Sequence, residues 1–385
     1  MKLKCYMFHR FMYRLLRFLA GPFVKLYMGY SCTKSKGPTK PSLIVSNHNS
    51  DLDPALVGLG FTRHIYFLSS EHALRAGLPS KILKFCFAPV PINKAHPDVT
   101  AIKEMIRRLK AGANVCLFAE GDRSFNGVTA PISLSTAKLA KTSGADLITF
   151  HIEGAYFTTP RWSKRKRKGR IKGTVVNTYT TEQLKTKTAE EVLKLIERDL
   201  FEDAYERQKE KLVRYTGKNL AENIETVLYL CPGCDAFGLI ESAGNSFSCD
   251  CGLGGVYTET GFLEGELLPS TTITEWDRWQ RDSLVRIVRN TGYEPICADV
   301  NQKLFEVRPA VSKTLVGEGD MYIDRTMFHC AGKHFPLDSI ERFAVVGQMV
   351  LLFALKDGTS YEVRSEHPRS ALKYREIFRV LSGEL

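Results

Sequence analysis

Two short apolar runs, each ending abruptly in a polar cluster, constrain the first half of this chain more than any other feature. Ser42–Ser46 reads SLIVS and runs into NHNSDLDP; Val115–Ala119 reads VCLFA and runs into EGDRSFNG. Short, almost wholly apolar runs of this kind suit strands buried on both faces, as in a sheet flanked by helices. Chemistry in such folds is displayed where strands end and loops begin. Between the two runs, FAPVPINKAHPDV supplies a third apolar piece followed by Lys94. The spacing of Ile102, Met105, Ile106 and Leu109 then predicts a helix over about 99–111 with that stripe facing the core. The expected class is α/β, a mixed sheet flanked by helices.

The polar clusters hold residue types that can do chemistry. His48 and Asp53 lie five positions apart. Histidine exchanges protons near neutrality, and a carboxylate beside it fixes the tautomer and raises its basicity. On these residues alone the signal is weak, and an ordinary polar loop is the favoured reading. Glu120, Asp122 and Arg123 gather around Gly121 at the second strand exit. An arginine fork there can grip a phosphate, and glycine permits a tight turn.

With both clusters in view, the sequence resembles the glycerolipid acyltransferases, enzymes that acylate glycerol-3-phosphate or lysophosphatidate. A His, four residues and an Asp match His48 to Asp53; FAEGDRS, Phe118 to Ser124, is similar to the family's Phe-Pro-Glu-Gly-Thr-Arg-Ser, with Ala119 for proline and Asp122 for threonine. Pro89 to Lys94 stands where the second signature ends in arginine, and Phe150-His151-Ile152 stands for an apolar-Pro-apolar run. The resemblance covers about residues 35–210. It implies that His48 deprotonates an acceptor hydroxyl that attacks an acyl thioester, with Asp53 orienting the imidazole. It implies that Lys94 and Arg123 bind the acceptor phosphate, and that Asn49, Glu120, Gly121 and His151 shape the site. Glu120 is expected to hold Arg123 or a backbone turn, and His151 is read as either a pocket contact or a neutral buried residue. The implied co-substrate is an acyl thioester on acyl carrier protein or coenzyme A, with no redox cofactor. The acceptor is lysophosphatidate or a related lysophospholipid.

Charge is divided unevenly along the chain. Residues 1–172 hold 29 Lys and Arg against 9 Asp and Glu, whereas the remainder holds 25 against 33. Residues 7–27, MFHRFMYRLLRFLAGPFVKLY, place Arg10, Arg14 and Arg17 on one side of an apolar helix that Gly21 and Pro22 are expected to bend or break. Such a helix suits an anionic membrane surface, on which it would lie flat. No apolar run is long enough for a conventional spanning helix. The run RWSKRKRKGRIK, Arg161–Lys172, carries eight basic groups. Trp162 is read as an interfacial anchor and Lys164, Arg165, Lys166, Arg167 and Lys168 as contacts to anionic lipid. Nucleic acid is the competing partner for such a run, disfavoured because no recognisable nucleic-acid motif accompanies it. Peripheral or monotopic attachment to the cytoplasmic face of the cell membrane is expected.

Thr188 to Glu191 reads as a capping box opening a helix that closes the catalytic domain near residue 215. Cys231, Cys234, Cys249 and Cys251 then form C-x2-C and C-x1-C pairs 14 residues apart, the thiolate set of a zinc-ribbon-like module with structural zinc. ITEWDRWQRDSLVRIVR predicts a short helix with Trp276 and Trp279 packed on one face. The last hundred residues alternate short strand patterns with turns, and Pro368 is expected to open a final helix. That pattern resembles a pleckstrin-homology-like domain, with a protein partner for the C-terminal half. The expected divisions are 1–34 amphipathic segment, 35–215 acyltransferase domain, 216–285 ribbon module with its helix, and 286–385 β-rich domain. Two other functions fit: a catalytically idle membrane adaptor, and a nucleic-acid-binding protein using the ribbon and the basic run.

Overall fold

The computed structural model describes residues 3–33, 40–70, 74, 78–92, 99–307 and 313–384. The chain divides into two compact units, residues 1–161 with 166–217, and residues 162–165 with 218–385.

The first unit is built on seven strands: β1 (Tyr30–Cys32), β2 (Ser42–Ser46), β3 (Ile65–Ser70), β4 (Val90–Ile92), β5 (Asn114–Phe118), β6 (Asp146–Glu153) and β7 (Ile171–Tyr179). Their order is β1-β7-β6-β2-β5-β3-β4, and every pair is parallel except β6 with β7. The helices are α1 (Leu3–Met28), α2 (Asp53–Gly60), α3 (Leu78–Phe87), α4 (Val99–Lys110), α5 (Leu134–Thr142), α6 (Ala155–Thr158), α7 (Thr181–Lys185), α8 (Ala189–Leu200) and α9 (Ala204–Glu210). Side-chain alternation along the strands builds two cores. Leu43, Val45, Val115, Leu117 and Leu147 pack with Met105 and Leu109 of α4, Leu139 of α5 and Ile196 of α8. Ile44, Cys116, Ile148 and Phe150 point the other way, with Leu56 and Val57 of α2. Apolar layers on both sides explain why β2 is buried at all five positions and reads without polar alternation.

Several expectations are corrected. Helix α1 runs unbroken through Gly21 and Pro22 to Met28. On α4, Ile102 is exposed, while Ala101 and Arg108 take the inward positions beside Met105 and Leu109. The capping box at Thr188 and Glu191 forms, but its helix stops at Leu200; Asp203 then caps α9 through the N–H groups of Tyr205 and Glu206. Trp162 is fully buried, with its ring edge-to-face on Tyr257 at 5.2 Å, and so cannot anchor at an interface. Arg167 is also buried, whereas Lys164, Arg165, Lys166 and Lys168 are exposed.

In the second unit, β8 (Ile240–Ala243), β9 (Ser246–Cys249), β10 (Gly254–Tyr257) and β11 (Leu263–Glu264) form an antiparallel sheet, followed by the 18-residue helix α10 (Ile273–Asn290). Seven further strands follow: β12 (Cys297–Val307), β13 (Lys313–Ile323), β14 (Met327–Cys330), β15 (Lys333–Pro336), β16 (Ile340–Val346), β17 (Val350–Leu355) and β18 (Ser360–Ser365). They are all antiparallel, ordered β15-β14-β13-β12-β18-β17-β16, and α11 (Ala371–Leu381) closes the chain. Ser370, not Pro368, caps α11. Phe328 anchors the core of this sheet, edge-to-face on Phe343, Phe353 and Tyr374. The architecture is thus an α/β region with a mixed sheet, then a distinct β-rich region ending in a helix.

Candidate functional site

The loop after β2 folds back on itself around Asp53. This carboxylate has no solvent exposure. Its Oδ2 accepts the backbone N–H of Asn49 at 2.6 Å and of Ser50 at 2.8 Å, and lies 2.9 Å from His48 Nδ1. Its Oδ1 accepts the Ser50 hydroxyl at 2.5 Å. Three donors at such distances orient the carboxylate. The His48 ring, held through Nδ1, stacks on Phe118 at the end of β5, with centroids 4.2 Å apart. With Nδ1 donating to Asp53, Nε2 is the nitrogen left to accept a proton.

Glu120 ties three segments together. One oxygen accepts the N–H of His48 at 2.7 Å and the other the N–H of Ala130 at 2.8 Å. Burial pushes this carboxyl up to about 8, against the two N–H donors that favour its charge. Glu120 therefore joins the backbone at His48 to that at Ala130. Gly121 has a φ of +67°, which permits the turn that follows β5. The carbonyl of His48 accepts from the Ser124 N–H, so the two strand-exit loops are cross-braced.

Arg123 is largely buried and lies 3.2 Å from the exposed Asp51 carboxylate. Asp122 is met by Arg161, whose Nη1 is 2.6 Å from its Oδ2. The same nitrogen donates to the Arg123 carbonyl at 2.9 Å, and the guanidinium lies 3.7 Å from the Phe125 ring centroid. His151 has other partners: its Nε2 is 3.0 Å from Glu202, which Arg207 also grips at 2.9 and 2.7 Å. Burial pushes Glu202 up, but the bonds from His151 and Arg207 outweigh it and hold the carboxyl low. Asn49 is buried and directs its amide toward the Ile152 carbonyl. Lys94 lies outside the described residues.

Sequence reasoning missed Asn47, Ser50, Asp51, Ala130 and Arg161. Asn47 pairs with both backbone groups of Ile152 on β6, at 2.9 and 2.8 Å, and so pins the loop to the neighbouring strand. Ser50 was within sight, three residues before Asp53 and in position for a local turn bond. Nothing local marks Ala130 or Arg161.

In the second unit the four cysteines form a cluster able to hold a metal ion, their Sγ atoms all within 4.8 Å of one another.

Residues 31–153 match the acyltransferase family model. The N-terminal unit is acyltransferase-like. His48, Asp53, Glu120, Gly121, Arg123 and His151 of the acyltransferase-like unit lie inside the matched stretch, and Arg161 lies outside it. Among solved structures, PlsC, the 1-acyl-sn-glycerophosphate (LPA) acyltransferase of Thermotoga maritima, is 16% identical and has a TM-score of 0.41, over 55% of this chain and 98% of its own. The N-terminal PH domain of human ARAP2 is 13% identical and has a TM-score of 0.19, over 25% of this chain and 87% of its own. No curated protein matches the chain.

Proposed function

We propose that the protein transfers a fatty acyl group from an acyl thioester, on acyl carrier protein or coenzyme A, to the free hydroxyl of lysophosphatidate or a related lysophospholipid. The observation that carries this reading is the His48–Asp53 pair, buried at Asp53, braced at the amide of His48 by Glu120, and lying in the acyltransferase-like stretch. The acceptor hydroxyl gives its proton to His48 Nε2 while its oxygen attacks the thioester carbonyl carbon. The carbon–sulfur bond then breaks, and the thiolate leaves and takes up the proton. Asp53 keeps the Nδ1–H tautomer in place and stabilises the imidazolium that forms between the two events. No acyl-enzyme is required, because the nucleophile belongs to the acceptor. Arg123 serves the acceptor phosphate, the exposed Asp51 being a partner that an incoming dianion can displace.

The acceptor is a lipid, and α1 is suited to meet it at a membrane surface. Tyr13 donates to the carbonyls of Gly58 and Phe61, Arg17 donates to Gly58, and His9 pairs with the Tyr66 hydroxyl. His9, Tyr13 and Arg17 of α1 thus face the domain, while Phe11, Phe18, Leu19, Phe23 and Leu26 are exposed, as are Ile82 and Phe85 of α3. Arg10 and Arg14 remain exposed to meet anionic headgroups. Among the described residues no helix is long and apolar enough to cross a membrane. Peripheral or monotopic attachment at the cytoplasmic face completes this reading, with the β-rich second unit available to a protein partner.

The test is mass-spectrometric detection of phosphatidic acid after incubation with lysophosphatidate, an acyl thioester and anionic vesicles. A folded His48→Ala protein serves as the paired control. Product from the wild type and none above background from the variant supports the reading. Equal product from both defeats the mechanism. Silence across a panel of lysophospholipid and glycerol-phosphate acceptors with both carriers would favour a catalytically idle adaptor.

A further inference from the structure

Independently of the acyl-transfer reading, the second unit contains a site that the proposed chemistry does not use. Cys231 and Cys251 have Sγ atoms 3.6 Å apart, and Cys234 and Cys249 have theirs 3.7 Å apart. A disulfide would bring sulfurs to about 2.05 Å. Four thiolates at about 2.3 Å from a central ion in a tetrahedron lie roughly 3.8 Å from each other. The observed spacings correspond to the second arrangement and not the first. A site sized for one ion also leaves no room for an iron–sulfur cluster, since all four sulfurs lie within 4.8 Å.

The backbone is arranged to accept thiolates. Cys231 Sγ receives the N–H of Gly233 at 3.4 Å. A Cβ on Gly233 would come within 3.1 Å of Cys251 Sγ, so glycine is what lets the first turn approach the opposite pair. Gly252, with φ at +91°, closes the second turn through its N–H to the Cys249 carbonyl. These turns compensate for the one-residue gap between Cys249 and Cys251.

The first pair is also fastened to α10. Trp276 Nε1 donates to the Leu230 carbonyl at 3.0 Å, and Gln280 Oε1 accepts the N–H groups of Tyr229 and Leu230. Arg286 meets Asp235 at 2.8 Å. Leu230 immediately precedes Cys231, so whatever holds the thiols also holds the segment on which α10 rests.

We propose that Cys231, Cys234, Cys249 and Cys251 bind one Zn²⁺ as a closed tetrathiolate, and that this ion fastens the β8–β9 hairpin to the segment packed on α10. Four protein ligands leave no open position, so the ion is structural and supplies no Lewis acid or activated water. The test uses the full chain, purified without added metal or chelator and analysed by elemental mass spectrometry. About one zinc per chain is expected in the wild type, and less than about a tenth in Cys251→Ser, whose side chain is exposed. Because a cysteine variant can misfold, the wild type is also stripped with a mercurial and titrated with Co²⁺. The expected result is the spectrum of a tetrahedral Co²⁺ tetrathiolate, saturating at one equivalent and erased by Zn²⁺. Absence of zinc together with free reaction of all four thiols in the native protein would overturn the proposal. Iron in place of zinc, zinc retained in Cys251→Ser, or an octahedral Co²⁺ spectrum would do the same.

Discussion

Asp53 has partners at both carboxylate oxygens, all within five residues of it, so its replacement can be read as chemistry more than as collapse. Asp53→Asn keeps the volume but presents an amide N–H to one side of the loop, which favours the wrong tautomer of His48. The expected result is a loss of kcat of roughly 10³-fold or more with little change in KM, measured by initial rates on protein of unchanged circular dichroism. Glu120 yields a pH prediction. Its carboxyl is raised from 4.5 to about 8, so between those values the folded chain holds a proton that the unfolded chain has released. Stability from this group is therefore fully present below about pH 4.5 and declines as pH rises toward 8. Glu120→Gln should flatten that part of the profile in denaturant titrations; an unchanged slope would refute the assignment. Asp122 and Arg161 form a third case. Arg161→Met removes both the ion pair and the bond to the Arg123 carbonyl, so it should cost about 3 kcal/mol in urea unfolding, and adding Asp122→Asn should recover part of it. The His48–Asp53 pair was legible because its spacing is local. Arg161 was not, because its partners lie 36 to 39 positions away and it sits at the head of a run that reads as a solvated basic patch.

At the level of elements, strand position was easier to read than helix orientation. SLIVS became β2 at the same residues, since burial on both faces leaves an unbroken apolar signature. On α1 aromatic and basic residues are interleaved, and the pattern does not say which side turns inward. The structure turns Tyr13 and Arg17 toward carbonyls of α2 and its C-terminal cap, leaving the aromatic side outward. Two kinds of variant distinguish lipid contact from internal docking. Phe18→Asp with Leu26→Asp should weaken binding to anionic vesicles at least about tenfold in sedimentation assays while the unfolding transition stays in place. Arg17→Gln should do the reverse, lowering stability modestly with vesicle binding retained. The helical stretch that opens at Thr188 divides into α8 and α9 because Asp203 offers its carboxylate to the N–H groups of Tyr205 and Glu206, a cap that competes locally with continuing the turn.

For the whole molecule, composition indicated a basic stretch up to residue 172 and an acidic remainder, whereas the structural division lies further on, between residues 217 and 218. What composition could not indicate is the four-residue excursion by which 162–165 joins the later unit. Trp162 is the sole tryptophan of residues 1–217, the others being Trp276 and Trp279. A fragment ending at 217 should therefore show red-shifted, readily quenched emission, and the full chain a blue-shifted component that disappears in Trp162→Phe. A fragment emitting like the full chain would show that Trp162 finds cover without residues 218–385. The excursion also sets a timetable. A ribosome releases residues 162–165 well before it has made Tyr257, the residue whose ring meets Trp162. The emerging chain must therefore keep an indole and its basic neighbours waiting, open to water, chaperone or bilayer, until nearly a hundred more residues have been added.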